Sequence, residues 1–299
     1  MAAMITVVNN QERAHFRTHG WVVVSDVIDR VTVATARERL AAIYPSEGDV
    51  DADPVRHAWV ADGQFGGLRF WPVDDLMLDL LPLDPRLLGF VGELLGPGDV
   101  RLLRAGYQAK YAGTVDFDQV HHVDYPNHSL VVPAPDDIVG FFLFLSDVTV
   151  DLGPTMLVSD AFCPPVDPGR THVDRASGPE LYAVEEAALG TAGSVLAYRA
   201  TTYHRGSAIA AAQGVRLTLG FAFGRPNPWT GFQSIPRMGE DDALVAALSA
   251  AEPAQRAVLG FPPPGDRYWT PETIALVARR YPDLDLSPYR TSTVTSGPT

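Results

Sequence analysis

A histidine and an aspartate stand one residue apart at His122 and Asp124, and both residue types are common metal ligands. Side chains at positions i and i+2 of a β-strand project from the same face, so this pair can offer two ligands to one ion. The neighbouring His121 and Val123 would project from the opposite face. Strand phase therefore selects His122 over His121, although a three-residue match on its own arises often by chance.

A third ligand is needed, and the other histidines are His15, His19, His57, His128, His172 and His204. His204 is favoured because it follows the strand-like segment GSVLAYR and a short turn, and another strand-like segment comes next. His172 begins a second His-x-Asp triplet with Asp174, but its polar segment GRTHVDRASG is predicted to be an exposed insertion. Two histidines and one carboxylate on one face of an octahedron leave positions for O₂ and a chelating co-substrate in ferrous oxygenases. The sequence therefore predicts an iron site formed by His122, Asp124 and His204.

The segment VRLTLGFAF, residues 215–223, alternates between large apolar and mostly smaller side chains. One face, predicted to be core, comprises Val215, Leu217, Leu219, Phe221 and Phe223. The other face comprises Arg216, Thr218, Gly220 and Ala222. An arginine followed by small residues suits a cavity for a compact carboxylate, because a guanidinium can bind both carboxylate oxygens. The alternative is that Arg216 pairs with an acidic side chain on an exposed face of the sheet.

The first part of the chain has a mainly helical pattern. NQERAHFRTHG predicts a helix that ends at Gly20, and the short strand WVVVSDVI precedes a second helix from Val31 to Ile43. A third helix is predicted from Pro85 to Leu95, stopped by the following glycine and proline. His15 and His19 lie one turn apart on the first predicted helix, where they are expected to pack together or to be solvated.

From Asp99 to Pro226 the pattern changes to short apolar stretches bounded by Gly, Pro and Asp, which is typical of a β-sandwich or barrel. The candidate strands are RLLRAGYQAKYA, the segment around His122, IVGFFLFLSDV, TMLVS, GSVLAYR and VRLTLGFAF. The predicted fold is mainly β with flanking helices (α+β), in the form of a double-stranded β-helix, which is a cupin-like jelly roll.

One oxygenase domain is expected to span residues 1–299. Residues 1–98 would form a helical support, residues 99–226 the jelly-roll core with the metal site, and residues 227–299 a covering segment. In this last part, helices are predicted around Asp241 to Ala250 and Pro271 to Arg280.

Composition excludes several classes of partner. Acidic residues number 36 against 23 Lys plus Arg, a formal net charge of −13, so nucleic acids and anionic membranes are unfavourable partners. No apolar stretch approaches the roughly 20 residues that cross a bilayer, and the N-terminus does not read as a signal peptide. The single cysteine, Cys163, is assigned no role and suits a reducing compartment. We expect a cytoplasmic protein that acts on a small molecule; without a basic run, coenzyme A esters are disfavoured.

Together these motifs resemble the phytanoyl-CoA dioxygenase family of Fe(II)- and 2-oxoglutarate-dependent oxygenases. The segment IVGFFLFLSDVTVDLGPTMLV follows the His-x-Asp triplet and resembles the family's passage from a core strand through an acidic turn to a Gly-Pro-Thr strand. His204 and Arg216 then follow at family-like spacing, and the resemblance covers about residues 100 to 225. It implies that His122, Asp124 and His204 bind Fe(II), and that Arg216 binds the distal carboxylate of 2-oxoglutarate.

The resemblance also implies co-substrate contacts from Gln119 and Thr155. Strict alternation would turn Gln119 away from His122, so its role requires the strand to begin later or to contain a bulge. The loop VSDAFCPP departs from the family's Pro-Gly-Ser-His turn, and the usual asparagine after the distal histidine is not evident. These departures affect the mouth of the site, so the identity of the substrate does not carry over.

The implied reaction consumes O₂ and 2-oxoglutarate, releases succinate and CO₂, and hydroxylates an unactivated C–H bond of a small organic metabolite. Desaturation, ring closure and epimerisation are alternative outcomes at the same site. Rival hypotheses are a metal-dependent cupin-type oxygenase or isomerase that does not use 2-oxoglutarate, and a non-catalytic jelly-roll binding protein. Aromatic side chains that could contact a substrate, or simply pack in the core or a lid, are Trp71, Phe142, Trp229 and Phe232.

Overall fold

Two antiparallel β-sheets form the centre of the molecule. The computed structural model describes residues 8–61, 65–71, 73–96, 100–113, 117–125, 131, 137–163, 165–225, 245, 248–249, 253, 256 and 261–290. The strands are β1 Trp21–Val24, β2 Leu68–Phe70, β3 Arg101–Tyr111, β4 His121–His122, β5 Ile138–Phe144, β6 Thr155–Leu157, β7 His172–Val173, β8 Glu186–Ala187, β9 Val195–Arg199, β10 His204–Gly206 and β11 Val215–Gly224. The larger sheet has the order β1-β9-β5-β11-β3-β2, and the smaller sheet has the order β7-β4-β10-β6-β8.

Helices flank the sheets, most of them before β3 or after β11 in the chain. They are α1 Asn10–His19, α2 Arg30–Leu40, α3 Glu47–Ala52, α4 Leu76–Leu80, α5 Pro85–Leu95, α6 Pro179–Ala183, α7 Pro271–Arg280 and α8 Ser287–Arg290. The predicted architecture of a mainly β fold with flanking helices is therefore confirmed. No helix in the described ranges is long and apolar enough to span a membrane.

The main hydrophobic core lies between the larger sheet and the N-terminal helices. Phe141 of β5 stacks on Phe221 of β11 with their ring centroids 5.1 Å apart, and Phe90 of α5 meets Phe141 edge-on at 5.6 Å. Leu219 and Phe223 belong to the same buried cluster. The alternation predicted for residues 215–223 is thus confirmed, because its large apolar side chains form the core face and its other side chains face the smaller sheet.

Helix boundaries agree closely with the sequence wherever end signals are strong. α1 starts after a capping box at Asn9, and Gly20 ends it with φ 79°, a left-handed conformation that glycine adopts without steric cost. α5 and α7 have the predicted bounds. β1 is shorter than the predicted WVVVSDVI strand, because the chain turns at Asp26, which has φ 55°.

Several of the shortest elements were not predicted. Strands β2, β7, β8 and β10 contain two or three residues each, and helices α3, α4 and α6 contain five or six. Such segments are too short to display an apolar period, so pairing with neighbouring strands rather than local pattern establishes the strands among them. β4 also stops at His122, which leaves Asp124 just beyond the strand end.

A second apolar cluster gathers the C-terminal part of the described chain. Trp269, Tyr281 and Tyr289 pack there around Phe261, together with the isolated described residue Leu248. The predicted helix at Asp241 to Ala250 falls largely outside the described residues, as do His128, Trp229 and Phe232. The division of the domain at residues 98 and 226 stays a prediction.

Candidate metal centre

His122, Asp124 and His204 converge between the two sheets. β4 and β10 are antiparallel neighbours in the smaller sheet, with His122 directly opposite His204. One ligand atom from each of the three residues lies within 4.8 Å of the others, and Asp124 Oδ1 is 3.7 Å from His204 Nε2. This is the two-histidine, one-carboxylate donor set that suits ferrous iron. The structure brings the predicted residues together, and their role as ligands stays a prediction.

Both histidines are held in the form that can bind a metal. His122 Nδ1 lies 3.0 Å from the carbonyl oxygen of Val120, and His204 Nδ1 lies 3.0 Å from that of Thr202. A carbonyl only accepts hydrogen bonds, so each Nδ1 carries the proton and each Nε2 keeps its lone pair for a metal. Burial is the main cause that lowers the pKa of both imidazoles, which favours the neutral form. The donor set and its tautomers therefore fit a divalent ion.

The opposite face of the smaller sheet carries a buried ionic cluster. His121 Nε2 lies 2.7 Å from Glu185 Oε2, and Arg205 donates two hydrogen bonds of 2.7 Å to the same carboxylate. Val123 is buried on this side too, in a separate apolar cluster. The phase argument that turned His121 away from the site is confirmed by these contacts. The cluster ties β4 to β10 directly behind the two ligand-candidate histidines.

His172 is not the exposed residue that the sequence suggested. Strand β7 pairs with β4 so that His172 lies opposite His122, and the two imidazole rings stack with centroids 5.5 Å apart. Its flanking residues Thr171 and Val173 are buried. The prediction of an exposed insertion is wrong for residues 171–173, because pairing of β7 with β4 draws them into the sheet, whereas Gly169, Arg170 and residues 174–177 are exposed as predicted. His172 lines the cavity without belonging to the ligand cluster.

The larger sheet forms the facing wall of the cavity. β3 and β11 are paired, and their site-facing residues are Arg104, Gly106, Gln108 and Lys110 on β3, and Arg216, Thr218 and Gly220 on β11. A Cβ atom on Gly220 would lie 2.9 Å from the ring of Phe142, so glycine leaves room for this aromatic side chain. The cavity has a volume of about 180 Å³ and opens to solvent.

Arg216 is a buried cation whose guanidinium has few hydrogen-bond partners within the protein. Only 5% of its surface is exposed, Nη1 donates to the carbonyl oxygen of Gly153, and the buried Nε has no hydrogen-bond partner. Burial lowers the pKa of its guanidinium to about 10. No carboxylate of the described residues forms an ion pair with it, which disfavours the alternative of a pair on an exposed sheet face. An unpartnered N–H group in a cavity wall suits an anionic ligand.

Gln119 and Thr155 line the same cavity. β4 begins only at His121, so Gln119 precedes the strand and escapes its alternation, as its predicted role requires. Its backbone N–H donates to Gly206 O at 2.9 Å, and its side-chain Oε1 accepts from Gly206 N at 2.7 Å. Thr155 starts β6 opposite Gly206. Contacts of either side chain with a co-substrate stay predictions.

The sequence profile of the family described as phytanoyl-CoA dioxygenase (PhyH) matches residues 16–216. This range includes all three residues of the candidate metal centre and ends at Arg216. The chain belongs to the phytanoyl-CoA dioxygenase family. The predicted class, a non-haem iron enzyme dependent on 2-oxoglutarate, is therefore confirmed. No curated protein sequence matches the chain.

Solved structures share the fold at low identity. HygX from Streptomyces hygroscopicus, with nickel and 2-oxoglutarate bound, is 17% identical, covers 75% of this chain and 90% of its own, and has a TM-score of 0.53. The carbocyclase SnoK from nogalamycin biosynthesis is 17% identical over 81% of this chain and 91% of its own, with a TM-score of 0.57. The epimerase SnoN, with Fe³⁺, α-ketoglutarate and nogalamycin RO, is 18% identical over 72% and 82%, with a TM-score of 0.54. The predicted jelly roll is confirmed.

In this member of the phytanoyl-CoA dioxygenase family, a second buried cation accompanies Arg216. Lys110 is 4% exposed and lies directly opposite Arg216 in the β3–β11 register. Burial, reinforced by Arg216 and opposed by Asp118, lowers the pKa of the Lys110 ammonium to about 7. The sequence analysis missed Lys110. Strand phase within β3 would group Lys110 with Arg104, Gly106 and Gln108, but only the β3–β11 register places it beside Arg216.

We expect Lys110→Met to raise the free energy of unfolding of the ligand-free protein by up to about 5 kcal/mol at pH 6. Below pH 7 the folded protein bears the full cost of the buried charge. The pKa of Lys110 is about 7 in the folded state and 10.5 in the unfolded state, so between pH 7 and pH 10.5 only the unfolded chain carries the Lys110 proton. The destabilisation caused by the buried charge therefore falls as pH rises through this range. Urea unfolding of the wild type and of Lys110→Met should show that the difference between their free energies of unfolding becomes smaller from pH 6 to pH 10. A constant difference, or a more stable wild type at pH 6, would contradict this expectation.

The open side of the cavity is more apolar. Phe65, Leu68 and Phe70 line it, and Phe70 is 67% exposed at the edge of the larger sheet. Phe142 also lines the cavity, whereas Trp71 packs against the main core and its indole N–H donates to Asp79 O at 2.9 Å. Of the predicted aromatic candidates in the described part of the chain, Phe142 is therefore in a position to meet a substrate and Trp71 is a packing residue.

Proposed function

We propose that this enzyme uses Fe(II), 2-oxoglutarate and O₂ to hydroxylate an unactivated C–H bond of a small organic metabolite, with release of succinate and CO₂. In this assignment His122, Asp124 and His204 hold the iron. Arg216 binds the distal carboxylate of 2-oxoglutarate, and Gln119 and Thr155 contact the co-substrate. When bound, iron and 2-oxoglutarate together supply the oxidising power that no amino-acid side chain possesses.

One observation carries the proposal: the three candidate ligands share a cavity with a buried arginine whose Nε is unpartnered. A compact dicarboxylate can bridge these two features, with one end at the metal and the other at the guanidinium. A metal-dependent cupin enzyme that does without 2-oxoglutarate has no use for Arg216 at this place. A non-catalytic binding protein would likewise leave the cost of burying Arg216 without a function.

The ligand set favours hydroxylation over halogenation. Asp124 supplies the carboxylate, so no protein-ligand position is vacated for a halide ion. SnoN is an epimerase and SnoK is a carbocyclase, so related folds also support other outcomes. HygX has been crystallised with hygromycin B, and SnoN with nogalamycin RO. These neighbours support a small molecule as the substrate, and the apolar open side of the cavity suits one with an apolar portion.

The first test is spectroscopic and needs no substrate. Anaerobic addition of Fe(II) and 2-oxoglutarate to the metal-free protein should produce a weak visible charge-transfer band, absent when either is omitted. Admission of air should then yield succinate and CO₂, even if slowly without the substrate. If neither the band nor succinate forms, the proposed function is wrong. A band that forms equally well without 2-oxoglutarate would favour the cupin-type alternative.

A further inference from the structure

The two carboxylate oxygens of Asp124 have different surroundings. Oδ1 is the oxygen that lies 3.7 Å from His204 Nε2, on the side of the ligand cluster. Oδ2 accepts a hydrogen bond of 2.8 Å from the Tyr198 hydroxyl and one of 2.5 Å from Arg104 Nη2. Asp124 is only 3% exposed, so these charge-assisted bonds act in a desolvated place where they are strong. One oxygen is therefore already engaged by the protein.

We propose that Tyr198 and Arg104 are positioning residues that hold Oδ2 of Asp124 off the metal, so that the carboxylate binds through Oδ1 alone. This inference rests on the iron site of the proposed function. A ferrous ion with three protein ligand atoms keeps three positions, which 2-oxoglutarate and O₂ together require. A carboxylate that also bound through Oδ2 would occupy one of those positions. The pair therefore keeps a position open for O₂.

Packing around the Tyr198 ring fixes the direction in which its hydroxyl points. Tyr198 lies on β9, its ring is stacked with that of Phe142 at 5.9 Å, and it also lies 4.5 Å from the ring of His204. Gly140, its register partner on β5, makes room for it, because a Cβ there would lie 2.5 Å from Tyr198 Cζ. The ring has no space to swing away, so the hydroxyl points at Oδ2 before any metal binds.

Arg104 approaches the same oxygen from a different strand. It lies on β3, its side chain is 29% exposed toward the cavity, and Nη2 is also 3.4 Å from the Tyr198 hydroxyl oxygen. Its positive charge lies against the buried carboxylate, with Nη2 2.5 Å from Oδ2. Two donors from β3 and β9 thus hold one oxygen of a carboxylate that lies just beyond β4. This arrangement restrains rotation of the carboxylate better than one donor would.

Nitric oxide, which occupies the O₂ position of ferrous sites and gives an EPR signal, tests the inference without turnover. The wild-type protein loaded with Fe(II) and 2-oxoglutarate should bind nitric oxide. Tyr198→Phe removes one donor and keeps the ring, so it should keep Fe(II) but bind nitric oxide about tenfold more weakly. Arg104→Gln should also bind nitric oxide more weakly than the wild type, and the double variant should bind it more weakly than either single variant. The matched control is Tyr107→Phe, because Tyr107 is a buried tyrosine whose hydroxyl donates to Leu78 O on the far side of β3.

The outcomes separate the two proposals. Absence of the charge-transfer band in the wild type means that the iron site itself is wrong. A wild type with the band and the nitric oxide signal, but unchanged nitric oxide affinity in both Tyr198→Phe and Arg104→Gln, overturns the positioning role. Loss of nitric oxide binding in Tyr107→Phe to the same degree would show a general packing effect and overturn it as well. Near-normal Fe(II) affinity with selective loss of nitric oxide affinity supports it.

Discussion

The Asp124→Ala variant should fold, bind Fe(II) at least about 100-fold more weakly than the wild type, and form no charge-transfer band with 2-oxoglutarate. Loss of an outer partner of a metal ligand typically costs 10- to 100-fold in either metal affinity or activity, and removal of the ligand itself costs no less in metal affinity. The change also leaves the Arg104 guanidinium, which now pairs with Asp124, facing the metal position without a counter-charge. Repulsion between two cations then adds to the loss of the ligand. Succinate formation under air should disappear with the band.

The second His-x-Asp triplet of the chain provides the matched control. Asp174 follows His172 at the same spacing, but its carboxylate is exposed and accepts a hydrogen bond of 2.7 Å from Ser177 N within a turn. Asp174→Ala should therefore keep the band and succinate formation. Circular dichroism and urea unfolding would verify that both variants are folded. If Asp174→Ala lost the band and Asp124→Ala kept it, the assignment of the metal centre would be wrong.

Strand phase predicts a large part of the site, because alternation in a sheet is a local property of the backbone. It separated His122 from His121, and the structure places His121 against Glu185 on the other face. It also placed Arg216 on the cavity side of β11, opposite the core phenylalanines. Helix ends were equally predictable wherever a capping residue or a left-handed glycine marks them.

Sheet order is not a local property, and the missed residues all depend on it. Arg104 and Tyr198 lie on β3 and β9, and both meet Asp124 only because the larger sheet packs over the end of β4. Lys110 is next to Arg216 through pairing between β3 and β11. His172 reaches the cavity through a two-residue strand, His172–Val173, that lies within a mostly polar segment. Each is a contact between residues far apart in sequence, which no pattern within a single segment contains.

The Arg216→Met variant should bind 2-oxoglutarate about 100-fold more weakly while its affinity for Fe(II) alone stays within about threefold of the wild type. A guanidinium that grips a carboxylate with two charge-assisted hydrogen bonds contributes roughly 3 kcal/mol, which corresponds to that change in affinity. Arg216 is not among the candidate metal ligands, so its replacement should change the affinity for Fe(II) little. Isothermal titration under anaerobic conditions, first with Fe(II) and then with 2-oxoglutarate, measures both affinities separately.

The same variant should stabilise the ligand-free protein, which a structural arginine would not do. Arg216 is buried with an unpartnered Nε, so replacing it by an apolar side chain of similar length should raise the free energy of unfolding by about 1–3 kcal/mol. Arg205, by contrast, is buried in an ion pair with Glu185, and Arg205→Met should lower the free energy of unfolding by about 3–5 kcal/mol. Opposite signs for the two buried arginines, measured by urea unfolding without ligands, would indicate that Arg216 is retained for its ligand. If Arg216→Met instead destabilised the protein and weakened Fe(II) and 2-oxoglutarate equally, Arg216 would be a structural residue and the case for 2-oxoglutarate at this end of the cavity would fail.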